Sequence, residues 1–169
     1  MSEDLLQQIS GRFDVEEVVS KANNNPEIFK FYAHHLIENT TTSWKAAWVI
    51  NHALCKDDKR ITPYLTKIIK SIAGKSDGHQ RELIKIVRKM KLSEREEGYF
   101  FDICVTLWEE IHKKPATRYN AVLFIIEMAK KHPEIKNELE HLTSDYYTQT
   151  LSQGIKRIFK RKLESLEKF

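Results

Sequence analysis

The chain has 169 residues, of which 31% are charged and 10% aromatic, and its formal net charge is +4. Five glycines and four prolines are too few for the many tight turns of an all-β sandwich or barrel, which excludes that class. The length suits one domain with a single core, and the aromatic content excludes a disordered chain.

Three observations bear on the compartment of the protein. The first eight residues include Glu3 and Asp4 and have no apolar core, which is not typical of a secretory signal. The longest apolar run, residues 121–126, is much shorter than the roughly 18 residues of a membrane span. Cys55 and Cys104 lie among apolar residues at helical spacing, so we expect two buried thiols and no disulfide framework. The sequence therefore predicts a cytoplasmic protein.

Helix-start signals recur along the chain. Residues 14–17 and 93–96 form capping boxes, and Asn25 followed by Pro26 suits an N-cap and a first helical position. The predicted helices cover residues 3–22 (with Gly11 as the candidate break), 26–38, 43–55, 60–73, 78–91, 94–112, 116–131, 134–150 and 151–168. Their short connectors predict that consecutive helices pack antiparallel.

An internal repeat relates these helices. Sliding the chain by 36 and then by 38 residues aligns two successive helices in each of three segments. The aligned sets include Ala46, Glu82 and Asn120; Ile50, Ile86 and Phe124; Leu65, Phe101 and Leu139; Ile68, Cys104 and Leu142; and Ile72, Trp108 and Tyr146. The last three sets are apolar at the spacing that one helix face requires. The pattern predicts a helical repeat; the alternative is a chance alignment of amphipathic helices.

One segment carries a family resemblance. Residues 44–54, with small Ala46 and Ala47, resemble the first helix of a HEAT repeat, and residues 57–58 and 61–69 are similar to its acidic turn and its Pro-containing second helix. The resemblance implies an all-α fold, a right-handed α-α superhelix whose second helices line a concave face. It implies a single domain over residues 1–169. The domain consists of about four antiparallel helix pairs and a basic amphipathic capping helix, at residues 3–38, 43–73, 78–112, 116–150 and 151–168.

This register places certain side chains in the concave groove. The candidate partner-binding residues are Thr66, Lys67, Lys70, Asp102, Thr106 and Glu140. A groove for a polyanionic backbone needs a continuous row of lysine and arginine, and these residues have mixed charges. The groove therefore does not favour nucleic acid. It is compatible with a protein or peptide partner or with no partner, because a helix face of mixed charge is usually only solvated.

The C-terminal helix carries the excess positive charge. Residues 153–169 hold six basic and two acidic residues, a net charge of +4 that equals that of the whole chain. Its predicted apolar face consists of Leu151, Ile155, Ile158, Phe159, Leu163, Leu166 and Phe169, and its basic face includes Lys156, Arg157, Lys160 and Arg161. We favour a helix that caps the last repeat. The alternatives are docking on a partner or a nucleic-acid backbone, and an anionic membrane surface.

No catalytic, cofactor-binding or metal-binding motif is present in the sequence. The pairs of His34 with Glu38 and of His52 with Cys55 each supply only two metal ligands. No phosphate-binding loop and no serine or cysteine nucleophile pattern occurs. Asp102 lies among aromatic residues, where a general base is one interpretation and a solvated acid the favoured one. We therefore expect no cofactor.

These observations predict a non-enzymatic interaction or scaffold module that binds a protein or peptide. The alternative is a DNA-binding protein similar to the bacterial DNA alkylation-repair glycosylases, which are also HEAT-like superhelices. A third possibility is self-association through the apolar face of the C-terminal helix, at Phe159, Leu163, Leu166 and Phe169. The sequence makes no prediction of the oligomeric state.

Overall fold

A computed structural model describes residues 2–165. Within that range the chain is helical and contains no strand, which confirms the all-α prediction. The α-helices are α1 (Ser2–Ser10), α2 (Val15–Asn24), α3 (Pro26–His35), α4 (Ser43–Ala53), α5 (Leu65–Ser71), α6 (Asp77–Arg88), α7 (Glu94–Glu109), α8 (Pro115–Lys131), α9 (Lys136–Leu142), α10 (Asp145–Thr148) and α11 (Gln153–Glu164). Short 3₁₀ turns occupy Thr62–Tyr64, Ile72–Gly74 and Pro133–Ile135. Leu166, Phe169 and the predicted end of the last helix lie outside the described residues.

Most of the predicted helix starts agree closely with the structure; the exception is the helix predicted from residue 60, where a 3₁₀ turn comes first and α5 begins at Leu65. The Asp14 side chain accepts a hydrogen bond from the Glu17 N–H at 3.2 Å, and α2 begins at the next residue, Val15. The Asn25 side chain accepts from the N–H groups of Glu27 and Ile28, and Pro26 is the first residue of α3. These side chains satisfy backbone donors that a helix start leaves unpaired, so the start depends on adjacent residues alone.

Several of the predicted helix ends are too late by two or three residues, although the end predicted at residue 131 agrees with the end of α8 at Lys131. α3 ends at His35, α4 at Ala53 and α7 at Glu109, where the sequence predicted 38, 55 and 112. In each case a cation distant in sequence contacts carbonyl oxygens at the helix end. Lys75 donates to the carbonyls of Ile37 and Glu38, Lys89 to those of Asn51 and Leu54, and Arg118 to that of Trp108. These side chains supply the hydrogen bonds that a further helical turn would give to the last carbonyl groups. Their positive charges also interact favourably with the negative end of the helix dipole.

The helix predicted over 134–150 is wrong, because the structure divides this segment into a 3₁₀ turn, α9 and α10. The break lies at Thr143 and Ser144, where Ser144 has an extended backbone. Just before it, the indole N–H of Trp108 donates to the Leu142 carbonyl at 2.8 Å. The last carbonyl of α9 therefore bonds to a side chain of α7.

The helices form two compact units, which divide between Ser93 and Glu94. This boundary falls inside the predicted pair at 78–112, and the division into four pairs stays a prediction. In the N-terminal unit, α4 packs against α2, α3 and α6. The fully buried Ala46 and Ala47 on α4 allow its neighbours to approach closely.

The C-terminal unit is arranged around α8, which packs against α7, α9 and α11. The rings of Phe100 on α7 and Phe124 on α8 lie 4.4 Å apart, and those of Trp108 and Phe159 lie 5.4 Å apart. Aromatic contacts at these distances add to the stabilisation from burial. Helices α7, α8 and α11 thus share one core.

Burial follows the internal repeat at most of its aligned positions. The sets that begin at Ile50 and Ile68 are buried in all three segments. Tyr146, in the set that begins at Ile72, is instead 59% exposed, because the break before α10 removes it from the face of α9. Cys104 is buried as expected, but Cys55 is exposed, so the prediction of two buried thiols is wrong for Cys55. No helix among residues 2–165 has the length and apolar content needed to cross a membrane.

Candidate binding clefts

A cleft of about 330 Å³ lies in the C-terminal unit beside the start of α7. We call it the acidic cleft. It is lined by Glu94, Glu97, Gly98, Phe101 and Asp102 of α7, by Met128 of α8, and by His132, Glu134 and Ile135 of the connection to α9. The cleft therefore combines four carboxylate side chains with three large apolar ones.

The chain between α8 and α9 forms one wall of the acidic cleft. Pro133 cannot continue α8, and the chain makes a 3₁₀ turn in which the Ile135 N–H donates to the His132 carbonyl at 3.1 Å. This turn places Glu134 and Ile135 beside α7. On α7 itself, a Cβ atom at Gly98 would meet no atom within 4 Å, so the glycine leaves open space.

The charges of the acidic cleft are only partly neutralised. Lys131 on α8 contacts both carboxylate oxygens of Glu97 at 2.7 Å, and His132 lies 3.5 Å from Glu134. Among its described lining residues there is no lysine or arginine. The side chains of Phe101, Met128 and Ile135 are half-buried, so a ligand that covers them gains the free energy of apolar burial.

The structure brings one of the predicted groove residues into this cleft. Asp102 lines it, whereas Thr106 lies one turn further along α7 and donates its hydroxyl to the Asp102 carbonyl at 2.9 Å. Glu140 is exposed on α9. Thr66, Lys67 and Lys70 are exposed on α5, in the N-terminal unit.

Sequence reasoning missed the other lining residues. The sequence places Glu94 only in the capping box at residues 93–96, and it predicts no binding role for the remaining lining residues. The clue was available in the three glutamates of residues 94–97, since a capping box needs only one of them.

The basic face of α11 is open to solvent. Arg157, Lys160 and Arg161 are exposed and Lys156 is half-buried. On the opposite face, Phe159 is only 4% exposed and lies against Trp108, while its neighbour Ile158 is 45% exposed. The helix therefore covers part of the C-terminal core, as a cap does, but Ile158 does not belong to the buried apolar face that the sequence predicted.

No three metal-ligating side chains converge anywhere in residues 2–165. The two candidate ligand pairs have other contacts. The His34 ring packs edge-on against Tyr64, and the His52 Nδ1 atom lies 2.8 Å from the Trp48 carbonyl oxygen. Since a carbonyl only accepts hydrogen bonds, His52 donates through Nδ1.

Comparison with protein-family models supplies the family. The model of the HEAT repeat domain matches residues 1–166. The chain belongs to the HEAT repeat domain family. Neither the curated proteins nor the solved structures include a significant match to it. The resemblance first noted at residues 44–69 is thereby confirmed, and this HEAT repeat protein is a helical repeat scaffold.

Proposed function

We propose that this HEAT repeat protein is a non-enzymatic interaction module, and that its acidic cleft binds a basic, amphipathic segment of a protein partner. The observation that carries the proposal is the combination of acidic and apolar side chains around one cleft. HEAT repeats commonly serve protein interactions, which supports the same class of function. The cytoplasmic location stays a prediction.

The chemistry of the acidic cleft defines the segment that fits it. Glu94, Asp102 and Glu134 attract lysine or arginine, and such rim charges act mainly on specificity and association rate. Phe101 and Met128 offer apolar surface to one anchoring side chain. A helix that carries both lysine and leucine side chains presents both features.

The predicted groove residues outside the cleft extend this proposal. Thr106 and Glu140 lie exposed in the same unit and supply polar contacts for a longer partner segment. Thr66, Lys67 and Lys70 form a separate exposed face on α5. This face carries two positive charges and one hydroxyl group, which is compatible with a polar protein surface, and its role is part of the proposal.

The direct test blocks the acidic cleft without damaging the fold. The variant Gly98→Leu fills the open space at Gly98, and leucine stabilises a helix by about 0.8 kcal/mol relative to glycine. Gly154→Leu is the matched control, because Gly154 lies near the start of α11 and a Cβ there also meets no atom within 4 Å. Binding of a labelled peptide of about 14 residues, made of leucine and lysine at helical spacing, is measured by fluorescence anisotropy.

The expected result is saturable binding to the wild type and to Gly154→Leu and no binding to Gly98→Leu. The variant Asp102→Lys weakens binding about tenfold, which is 1.4 kcal/mol, while Glu109→Lys, a charge reversal at the last residue of α7 and outside the cleft, has little effect. A glutamate–leucine peptide that binds as tightly, or binding that survives Gly98→Leu, refutes the cleft as the site.

DNA binding is the second candidate, and the exposed basic face of α11 is the observation that favours it. If Lys156, Arg157, Lys160 and Arg161 each contact one phosphate, the logarithm of the affinity for a duplex falls with the logarithm of salt at a slope of about −3.6. Weak binding with a flat salt dependence excludes this function.

A further inference from the structure

A second cleft, of about 460 Å³, lies in the N-terminal unit between α4 and α6. We call it the basic cleft. Its lining residues are Asn51 and His52 of α4 and Lys85, Arg88 and Lys89 of α6 and its C-cap. None of these described lining residues is acidic, so the basic cleft has the opposite charge to the acidic cleft. Nothing in the proposed function accounts for it.

A buried carboxylate organises one side of the basic cleft. Glu82 is fully buried, and its oxygens contact the Lys85 ammonium at 3.2 Å, the Arg81 guanidinium at 2.9 Å and the Asn51 amide nitrogen at 3.1 Å. One negative charge thus faces two positive ones. Because burial of an unpaired charge is costly, Glu82 fixes the positions of Lys85 and Asn51.

Lys89 supplies a cation whose hydrogen-bond partners in the protein are neutral carbonyl groups. Its ammonium group donates to the carbonyls of Asn51 and Leu54, and a lysine has three N–H donors. One donor therefore remains for a further acceptor. Burial and the nearby Lys85 charge lower the pKa of Lys89, so its charged form gains from an anion placed beside it.

Two acceptor atoms lie beside these cations. The Asn51 amide nitrogen faces Glu82, which only accepts hydrogen bonds, so Oδ1 points away from Glu82; this oxygen is buried and has no partner in the protein. His52 donates through Nδ1 to Trp48, which leaves its Nε2 atom as an acceptor in the neutral ring. A bound group that carries a hydroxyl hydrogen, or a water ordered by that group, satisfies the exposed His52 acceptor, whereas the Asn51 oxygen is buried beneath the surface of the cleft.

We propose that the basic cleft binds the phosphate monoester of a phosphorylated protein segment. A phosphate monoester carries a charge of about −1.5 to −2 and three acceptor oxygens, which match Lys85 and Lys89, and in its singly protonated form it has one hydroxyl donor. A nucleic acid instead presents single charges in a row and requires cations spread along a surface. Here the cations are grouped at one end of α6. The proposal is independent of the acidic cleft.

The test uses a short labelled peptide of glycine, alanine and one phosphoserine, with the unphosphorylated and aspartate peptides as comparisons. Fluorescence anisotropy is measured for the full chain and for Lys85→Gln, Lys85→Arg and Lys59→Gln. Lys59 is an exposed lysine of the same unit outside the cleft, so Lys59→Gln is the matched control. Circular dichroism and urea unfolding establish that each variant is folded.

The expected result is saturable binding of the phosphopeptide alone. Binding weakens about tenfold in Lys85→Gln, is largely retained in Lys85→Arg and is unchanged in Lys59→Gln. Should Lys85→Gln fail to fold, ³¹P NMR of the phosphopeptide with the wild-type chain replaces it, and a phosphorus shift that saturates with protein concentration supports the site.

Other outcomes overturn the proposal. Inorganic phosphate that competes at the same concentration as the phosphopeptide shows a small-anion site with no need for a protein segment. A single-stranded oligonucleotide that binds more tightly than the phosphopeptide, with the same loss in Lys85→Gln, assigns the cleft to nucleic acid. Equal binding of the phosphorylated and unphosphorylated peptides removes phosphate recognition altogether.

Discussion

Asp58 is the residue whose ionisation has the clearest effect on stability. Its carboxylate is buried and accepts two hydrogen bonds from the Arg60 guanidinium, at 3.0 and 2.7 Å. The same guanidinium donates to the Asn23 side chain and the Ala53 carbonyl and lies 4.2 Å from the centre of the Phe29 ring. The ion pair therefore joins the turn after α4 to α2 and α3.

The size of the effect follows from the pKa. The Arg60 hydrogen bonds lower the pKa of Asp58 from 3.8 to about 2, a difference that corresponds to about 2 kcal/mol of unfolding free energy. Because the pKa is lower in the folded state, this stabilisation is complete above pH 4 and is lost as the pH falls from 4 towards 2. We expect Asp58→Asn to be less stable by about 2 kcal/mol at pH 7, with a difference that shrinks below pH 4.

The assay is urea unfolding of protein labelled with 5-fluorotryptophan, followed by ¹⁹F NMR. The signal of Trp48 on α4 reports on the N-terminal unit. Asp57→Asn is the control: Asp57 is exposed and has a φ of 55°, a conformation that asparagine tolerates, so its stability stays within about 0.5 kcal/mol of the wild type. The reasoning is refuted if Asp58→Asn matches the wild type at pH 7, or if its deficit is as large at pH 2.5 as at pH 7.

Two further predictions concern the C-terminal unit, where Trp108 is the ¹⁹F reporter. Phe159→Ala lowers the unfolding free energy of this unit by about 3 kcal/mol because it leaves a cavity beside Trp108. The control variant Ile158→Ala changes the unfolding free energy by less than about 0.5 kcal/mol. Equal effects of the two variants contradict the capping role of α11. Arg118 is fully buried and bonds to Trp108, Tyr147 and Thr150, so Arg118→Met costs about 3 kcal/mol by leaving acceptors unpaired. Arg118→Lys recovers only part of this loss, since lysine lacks the planar fork; full recovery contradicts that reasoning.

The starts of α2 and α3 could be predicted from the sequence and the ends of α3 and α4 could not, for a physical reason. Asp14 and Asn25 act on N–H groups within three residues, so the signal lies in a short stretch. The ends of α3 and α4 depend on Lys75 and Lys89, which lie 38 and 35 residues away from Ile37 and Leu54. Such partners are known only once the chain has folded.

The two clefts also differ in how far they could be predicted from the sequence. Asp102 was found because the repeat places it beside a buried position of α7. The basic cleft was missed because the groove residues were predicted on the second helices of the pairs, whereas α4 and α6 are first helices. One clue was present: Glu82 aligns with Ala46, a buried position where a charge must have partners. Two partners of Glu82, Arg81 and Lys85, lie near it on the same helix, α6. The third partner, Asn51, lies on α4 and could not be found from the sequence.

Two methionine methyl groups test the central claim, that this HEAT repeat protein binds a basic segment in its acidic cleft. Met128 lines that cleft, and Met90 lies in the N-terminal unit. In ¹³C-methyl methionine NMR, adding the lysine–leucine peptide is expected to shift the Met128 signal in proportion to occupancy and to leave Met90 unchanged. Binding of the peptide that moves Met90 and leaves Met128 in place contradicts the account.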